Sequence, residues 1–169
     1  LSGIGLMWYY FKKNKENASN TTEAHYSFSD KDLLLLFDKQ ADKHLSAELI
    51  EKQTNLTKKQ AKKRLKYLYY RGLLNYGTTS KYKFVYKLKE PILKFEQPVL
   101  SKEPFLSLGD LLLLFKTFDY KLSLQEICLA TGLPIKVINE EIKYFIKQDI
   151  ISKVTDATQK CYYILGDAY

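Results

Sequence analysis

Two stretches of this chain follow one plan in nearly constant register. Asp32-Leu33-Leu34-Leu35-Leu36-Phe37 returns 78 residues later as Asp110-Leu111-Leu112-Leu113-Leu114-Phe115. At an offset of 77, Leu45-Ser46 is answered by Leu122-Ser123, Asn55-Leu56-Thr57 by Gly132-Leu133-Pro134, and Leu65-Lys66-Tyr67-Leu68 by Ile142-Lys143-Tyr144-Phe145. A one-residue gap therefore keeps the copies aligned. Two units are too few for a solenoid, which buries a continuous core only over several repeats. A unit of roughly 60 residues can carry a small core alone. The expectation is one small domain written twice, at 29–89 and 106–169. Between them, residues 90–105 hold Pro91, Pro98 and Pro104, which favour a semi-extended connector over a helix.

Each copy has readable punctuation. In the first, Ser29 or Asp30 caps a helix running to about residue 41, with Leu33, Leu34, Leu36 and Phe37 on its apolar face. A short extended piece at His44-Leu45 precedes Ser46, the cap of a short helix over 47–53. After a tight connection, Thr57 caps a third helix over 58–70 or 71, which Gly72 ends. Residues 73–76 and 82–88 read as strands around a turn at 77–80. In the second copy, Ser107 caps a helix to about residue 117, and Ser123 with Glu126 makes a capping box. Gly132 stops that second helix, and Pro134 suits the first turn of a third helix to about residue 148. Residues 150–154 and 161–165 flank a turn at 155–158.

Helix, short helix, tight turn, longer helix and β-hairpin, in that order, resembles the winged helix-turn-helix family. The resemblance covers both copies, about 125 residues, and rests on element order and apolar pattern. It implies an α+β, mainly α, fold of two winged helix-turn-helix domains in tandem. It also implies that the helix over 58–70 enters the DNA major groove and that the hairpin is a phosphate-contacting flap.

Charge separates the copies. The formal net charge is +8. From Asp30 to Glu90, 15 Lys and Arg face 7 Asp and Glu; from Phe105 to Tyr169, 7 face 8. The excess base belongs to the first copy and points to a polyanionic partner for that half. In the 58–70 helix, Ala61, Leu65 and Leu68 recur at spacings that face a core. Lys59, Lys63, Lys66 and Tyr70 take the opposite side, flanked by Lys58, Gln60 and Lys62. Lys81 and Lys83 stand near the hairpin turn. Several ammonium groups on one face would displace phosphate counterions and give salt-sensitive, sequence-tolerant binding to duplex DNA. Gln60 is a weak base-reading signal by itself. The bases number 25 Lys and two Arg, which favours backbone attraction over tight readout. A solvated Lys-rich helix and attraction to anionic lipid headgroups are the competing explanations.

In the second copy, Lys59 aligns with Lys136, Lys62 with Asn139, Lys63 with Glu140, Arg64 with Glu141 and Lys66 with Lys143. That face repels phosphate, so the second copy is expected to serve assembly, by packing, self-association or a protein partner. Tyr144, Ile151, Tyr162 and Tyr163 are the candidates for that role, although most of these are expected to be core. The remaining tyrosines, Tyr67, Tyr69 and Tyr70 included, read as half-buried packing groups more than as stacking partners of nucleic acid.

Residues 1–11 carry no charge and end in Trp8-Tyr9-Tyr10-Phe11; Lys12-Lys13-Asn14-Lys15 follows. A bilayer needs about 20 helical residues, yet this order is that of the exit end of a membrane helix. Residues 1–13 are therefore expected to be part of an anchor, with the rest cytoplasmic. A short apolar tail packing on the body, or an amphipathic anchor, is the alternative. A secretory signal fits poorly, because its charges should come first. Residues 14–28 are polar and read as a flexible tether. Glycosylation sequons at Asn17, Asn20 and Asn55 read as chance matches on the cytoplasmic side.

Catalysis is not indicated. His25 and His44 are the only histidines. No nucleophile elbow, phosphate loop or metal-ligand spacing occurs, so no cofactor or metal is expected. Cys128 and Cys161 lie in separate apolar runs and read as buried reduced thiols. The leading expectation is a DNA-binding, transcription-regulatory protein that uses the basic third helix and wing of its first domain. The rival is a non-catalytic scaffold. Tandem winged helices of that kind bind proteins in bacterial condensin-like segregation machinery and in endosomal sorting complexes.

Overall fold

The first helix, α1 (Asp30–Lys39), starts where the sequence places a stop on both sides of an N-cap. The Ser29 hydroxyl accepts the Asp32 N–H, and the Asp32 carboxylate accepts the Ser29 N–H at 3.1 Å. Together they satisfy two orphan donors of the helix start. The computed structural model describes residues 28–81, 83–167 and 169. Among them it is an α+β protein of six helices and two small antiparallel sheets.

Leu33, Leu34 and Phe37 of α1 are fully buried. The helix stops at Lys39, short of the expected residue 41. Gln40 is extended, and Lys43 takes a positive φ of 58°. That turn aims β1 (His44–Leu45) at the sheet. Ser46 caps α2 (Ala47–Gln53), and Thr57 caps α3 (Lys58–Tyr70). The hairpin is β2 (Leu74–Thr78) and β3 (Phe84–Leu88). The sheet order is β1-β3-β2, with Leu45 and Tyr76 both opposite Tyr86. The expected turn at 77–80 lies further out. Gly77 pairs with Val85 inside the ladder, and the loop closes where the Thr79 N–H reaches the Lys83 carbonyl at 2.9 Å.

The second set of elements repeats the order. It comprises α4 (Leu108–Thr117), α5 (Leu124–Thr131), α6 (Ile135–Lys147), β4 (Ile151–Thr155) and β5 (Cys161–Leu165). A single bridge between Leu122 and Tyr163 stands where β1 stands in the first set. The Ser123–Glu126 capping box forms as expected, and Gly132 ends α5 at φ 70°, in the left-handed region that glycine enters without a Cβ clash. Pro134 differs from expectation. It occupies the N-cap position rather than the first turn, where it offers no side-chain hydrogen bond.

Buried residues of both sets form one continuous cluster, from Leu33 and Phe37 through Leu65 and Leu68 to Leu111, Phe115 and Ile138. Residues 91–103 contain no helix or strand, yet Ile92, Phe95 and Leu100 pack on that cluster. Phe95 meets Phe118 with ring centroids 4.7 Å apart. The Gln125 side chain, itself buried, donates to the Glu90 and Pro91 carbonyls at 3.3 and 3.4 Å. Ser101 donates through its backbone N–H and its hydroxyl to Asp110. Burial pushes the Asp110 carboxyl upward, but the hydrogen bonds from Ser101 and Ser107 outweigh it, so the group lies below the ordinary carboxylate range.

One thiol departs from expectation. Cys128 is buried, and burial, then the nearby Asp30, raises its pKa. Cys161 is exposed. It shares a strand face with buried Tyr163, but it pairs with Thr155 beside the turn, where the hairpin extends past the core. No helix among the described residues is long and apolar enough to cross a membrane. The expected anchor at 1–13 and the tether at 14–28, apart from Phe28, lie outside the described residues.

Candidate nucleic-acid interface

Helix α3 is built so that its inner stripe can only be core. Ala61, Leu65 and Leu68 are wholly buried. Lys59, Lys62, Lys63, Lys66 and Tyr70 are exposed on the outside. At the α-helical rise of ~1.5 Å per residue this outer stripe runs ~16 Å. Among the described residues no carboxylate is paired with any of these four lysines. Lys81 and Lys83 are also exposed, at the loop joining β2 to β3.

The helix start is chemically different. The Lys58 ammonium lies 2.6 Å from Glu48, and the Lys58 N–H donates to Glu51 at 2.9 Å. The hydrogen bond from Lys58 draws the Glu48 pKa down to about 2 and raises that of Lys58. Gln60 is committed as well. Its Oε1 accepts the Thr57 N–H at 2.8 Å, and its own N–H reaches the Thr57 hydroxyl at 3.3 Å. Thus, among the described residues, six of the eight expected site residues are cations with no carboxylate partner, while Lys58 and Gln60 are engaged within the fold. The Thr-x-x-Gln spacing was the signal for the second. No sequence pattern signalled the Glu48 contact.

Arg64 faces away from the lysine stripe. Its Nη2 lies 2.7 Å from Asp30, and its Nη1 donates to the Phe28 carbonyl. The other Asp30 oxygen accepts the Ile135 N–H at 2.9 Å. A carboxylate at a helix start answers both an unpaired donor and the positive end of the helix dipole. Asp30 therefore joins α1, α3 and the first turn of α6. That explains why α6 begins cleanly after a proline with no capping side chain.

The outer side of α6 has little of the character of α3. Lys143 is 3.1 Å from Glu140. Glu141 is partly buried, and burial, then Glu140, raises its pKa. Asn139 holds a buried amide nitrogen without a protein partner. Of the expected assembly residues, Ile151 and Tyr163 are buried in the core, while Tyr144 and Tyr162 are partly exposed. A cleft of about 280 Å³ opens between the two sets of elements, lined in part by Arg71, Lys89, Glu90, Lys153 and Cys161. No cluster of His, Cys, Asp or Glu among the described residues could hold a metal ion.

The expectation that the tyrosines pack as half-buried groups fails at several positions: Tyr70, Tyr76, Tyr120 and Tyr169 are each more than half exposed, and Tyr69 is exposed as well. Tyr70 is 70% and Tyr76 54% exposed. Tyr70 ends α3, with the Lys66 ammonium 5.7 Å from its ring centre, and Tyr76 lies on β2. Comparisons with protein-family models, curated proteins and solved structures found no match.

Proposed function

We propose that this protein is a tandem winged helix-turn-helix protein that binds duplex DNA in transcription regulation. In this reading α3 is the groove-facing helix and β2–β3 the wing. The supporting observation is the exposed stripe of Lys59, Lys62, Lys63 and Lys66 on α3, opposite its buried stripe and paired with no carboxylate among the described residues. The corresponding surface of α6 is mixed in charge, and its first turn is held by Asp30. The second winged helix then acts in assembly and braces the first.

The mode of binding follows from the side chains. Ammonium groups attract phosphate as point charges and release condensed counterions. Arg64, the helix residue best suited to bidentate base recognition, is spent on Asp30. Gln60 is held in the cap. Affinity should therefore depend strongly on salt and weakly on sequence. Lys81 and Lys83 extend the cationic surface onto the wing. The apolar run 1–11 and the lysines after it support placing this module at the cytoplasmic face of a membrane.

Anisotropy titration of labelled duplex at about 50 and 200 mM salt tests the reading. Binding that weakens with salt, and is lost in Lys59→Glu/Lys63→Glu, supports it. No binding at the lower salt would turn the assignment to a protein-binding scaffold.

A further inference from the structure

The hairpin is longer than the core it covers. Leu74 pairs with Leu88, and Leu74 is buried. Two steps further along the same face Tyr76 pairs with Tyr86, and two steps further again Thr78 pairs with Phe84. The alternation that makes a core at Leu74 continues past the point where core is present. Tyr69 and Tyr70 at the end of α3 complete the group. Ring centroids are 5.7 Å apart for Tyr69–Tyr70 and Tyr69–Tyr76, 5.9 Å for Tyr76–Phe84 and 6.1 Å for Tyr76–Tyr86.

Four of these rings are exposed, three of them by more than half: Tyr70 at 70%, Phe84 at 62% and Tyr76 at 54%, with Tyr69 at 37%. A contiguous exposed apolar patch marks an interaction surface. Its border identifies the partner. The Lys66 ammonium is 5.7 Å from the centre of the Tyr70 ring, and Lys66 also ends the cationic stripe of α3. Lys83 directly precedes Phe84, and Lys81 stands three residues before Phe84, both exposed. Lys66 therefore borders the rings on α3, Lys81 and Lys83 stand in the adjoining loop, and among the described residues no carboxylate is paired with Lys66, Lys81 or Lys83. The open side chains are wholly aromatic. An interfacial lipid anchor would normally add aliphatic residues to the apolar side. Flat π-faces bordered by ammonium groups suit a strand whose bases are free to stack and whose phosphates follow the lysines.

We infer that Tyr70, Tyr76 and Phe84 form a stacking platform for unpaired bases of a single-stranded nucleic acid, with Lys66, Lys81 and Lys83 holding its backbone. This rests on the nucleic-acid reading of α3 and extends it from duplex to single strand. DNA and RNA share the required chemistry.

The test uses the full chain with a labelled oligothymidine of roughly 15 nucleotides, the matching oligouridine, a duplex, and phosphatidylserine vesicles. The variants are Tyr70→Ala/Phe84→Ala, Tyr70→Ala alone, Tyr70→Phe and Lys59→Glu/Lys63→Glu. Removing the exposed rings should weaken single-strand binding by about tenfold or more, the size expected for loss of base–aromatic stacking. Duplex affinity should stay within about twofold, since phosphate contacts dominate it. Tyr70→Phe keeps the ring and should bind like the parent. Should the double variant fail to fold, by circular dichroism, Tyr70→Ala alone gives the same comparison. Duplex binding that survives together with an unchanged single-strand affinity in the ring variants overturns this inference and leaves the duplex reading standing. Absence of all oligonucleotide binding at low salt overturns both. Vesicle binding lost with the rings, without an effect on single strands, assigns the patch to lipid and overturns it.

Discussion

Asp30 lies 2.7 Å from the Arg64 guanidinium and receives the Ile135 N–H at 2.9 Å through its other oxygen. One carboxylate thus connects the first helix, the basic helix and the start of α6, 105 residues away. The Arg64 and Asp30 side chains are only 11% and 18% exposed. Removing one member of such a pair leaves the other charge poorly solvated, a loss of about 3–5 kcal/mol.

Asp30→Ala should therefore lower the unfolding free energy by about 3–5 kcal/mol, and by more than Arg64→Ala, because it also uncaps α6. The double variant should cost less than the sum of the two singles. Urea unfolding of the three variants measures this. Equal losses from the two single variants would mean that the Ile135 contact contributes no more than the Arg64 hydrogen bond to the Phe28 carbonyl.

The lysine stripe carries a quantitative expectation. If Lys59 and Lys63 each neutralise one phosphate, the milder Lys59→Gln/Lys63→Gln should reduce the slope of log affinity against log salt by about 2. Charge changes at Lys136 and Lys143 should alter duplex affinity by less than about twofold, a difference under ~0.5 kcal/mol. A comparable loss from the α6 substitutions would refute the division of roles between the two halves.

Glu48 offers a pH signature. Its folded-state pKa is drawn to about 2 by Lys58, below an ordinary value of ~4.3 in an unfolded chain. The pair's stabilising contribution is fully present above the ordinary value. It falls away as pH drops from there through the folded value. Carboxyl chemical shifts followed by NMR should place the midpoint near 2 in the parent and shift it upward in Lys58→Ala, while the Glu48 backbone and Ser46 hydrogen bonds keep it below the ordinary ~4.3. Glu48→Gln frees the Lys58 ammonium and should strengthen duplex binding at low salt. Unchanged affinity would show that Lys58 lies off the binding surface.

Gly166 has no room for a side chain. A Cβ there would stand 2.4 Å from the Asp149 carbonyl oxygen, while the Gly166 N–H holds the Ile150 carbonyl at 2.8 Å. Gly166→Ala should destabilise by about 1–3 kcal/mol, as overpacking does. Gly109→Ala is the control, since the nearest atom, the Ser107 hydroxyl, is 3.9 Å away. In helix α4 that change should be neutral or stabilising by up to about 1 kcal/mol. Thermal unfolding midpoints that move together would contradict this.

Most of the element order was legible from local chemistry. Ser29, Ser46, Thr57, Ser107 and Ser123 all cap the helices assigned to them. The stripe of Ala61, Leu65 and Leu68 is buried as its spacing required. The hairpin turn was misplaced by a few residues because Gly77 looks like a turn residue in isolation and becomes a ladder residue only opposite Val85. Cys161 was assigned to the core because an apolar run does not reveal where the core ends. Tyr76 and Phe84 were missed as exposed rings for the same reason: their alternation is that of buried residues, and only the length of the overhang leaves them in solvent.

The sequence by itself determined the caps, the apolar stripes and the contrast in charge between the two copies, because each depends on neighbours within a few positions or on simple counting. Tertiary structure decided which charges remain available. It pairs Lys58 with Glu48 and turns Arg64 onto Asp30, 34 residues away, while Lys59, Lys62, Lys63 and Lys66 stay exposed. Whether a cation can meet a phosphate depends on the acids folded against it, and those partners come from elements brought close only by burial of the shared core.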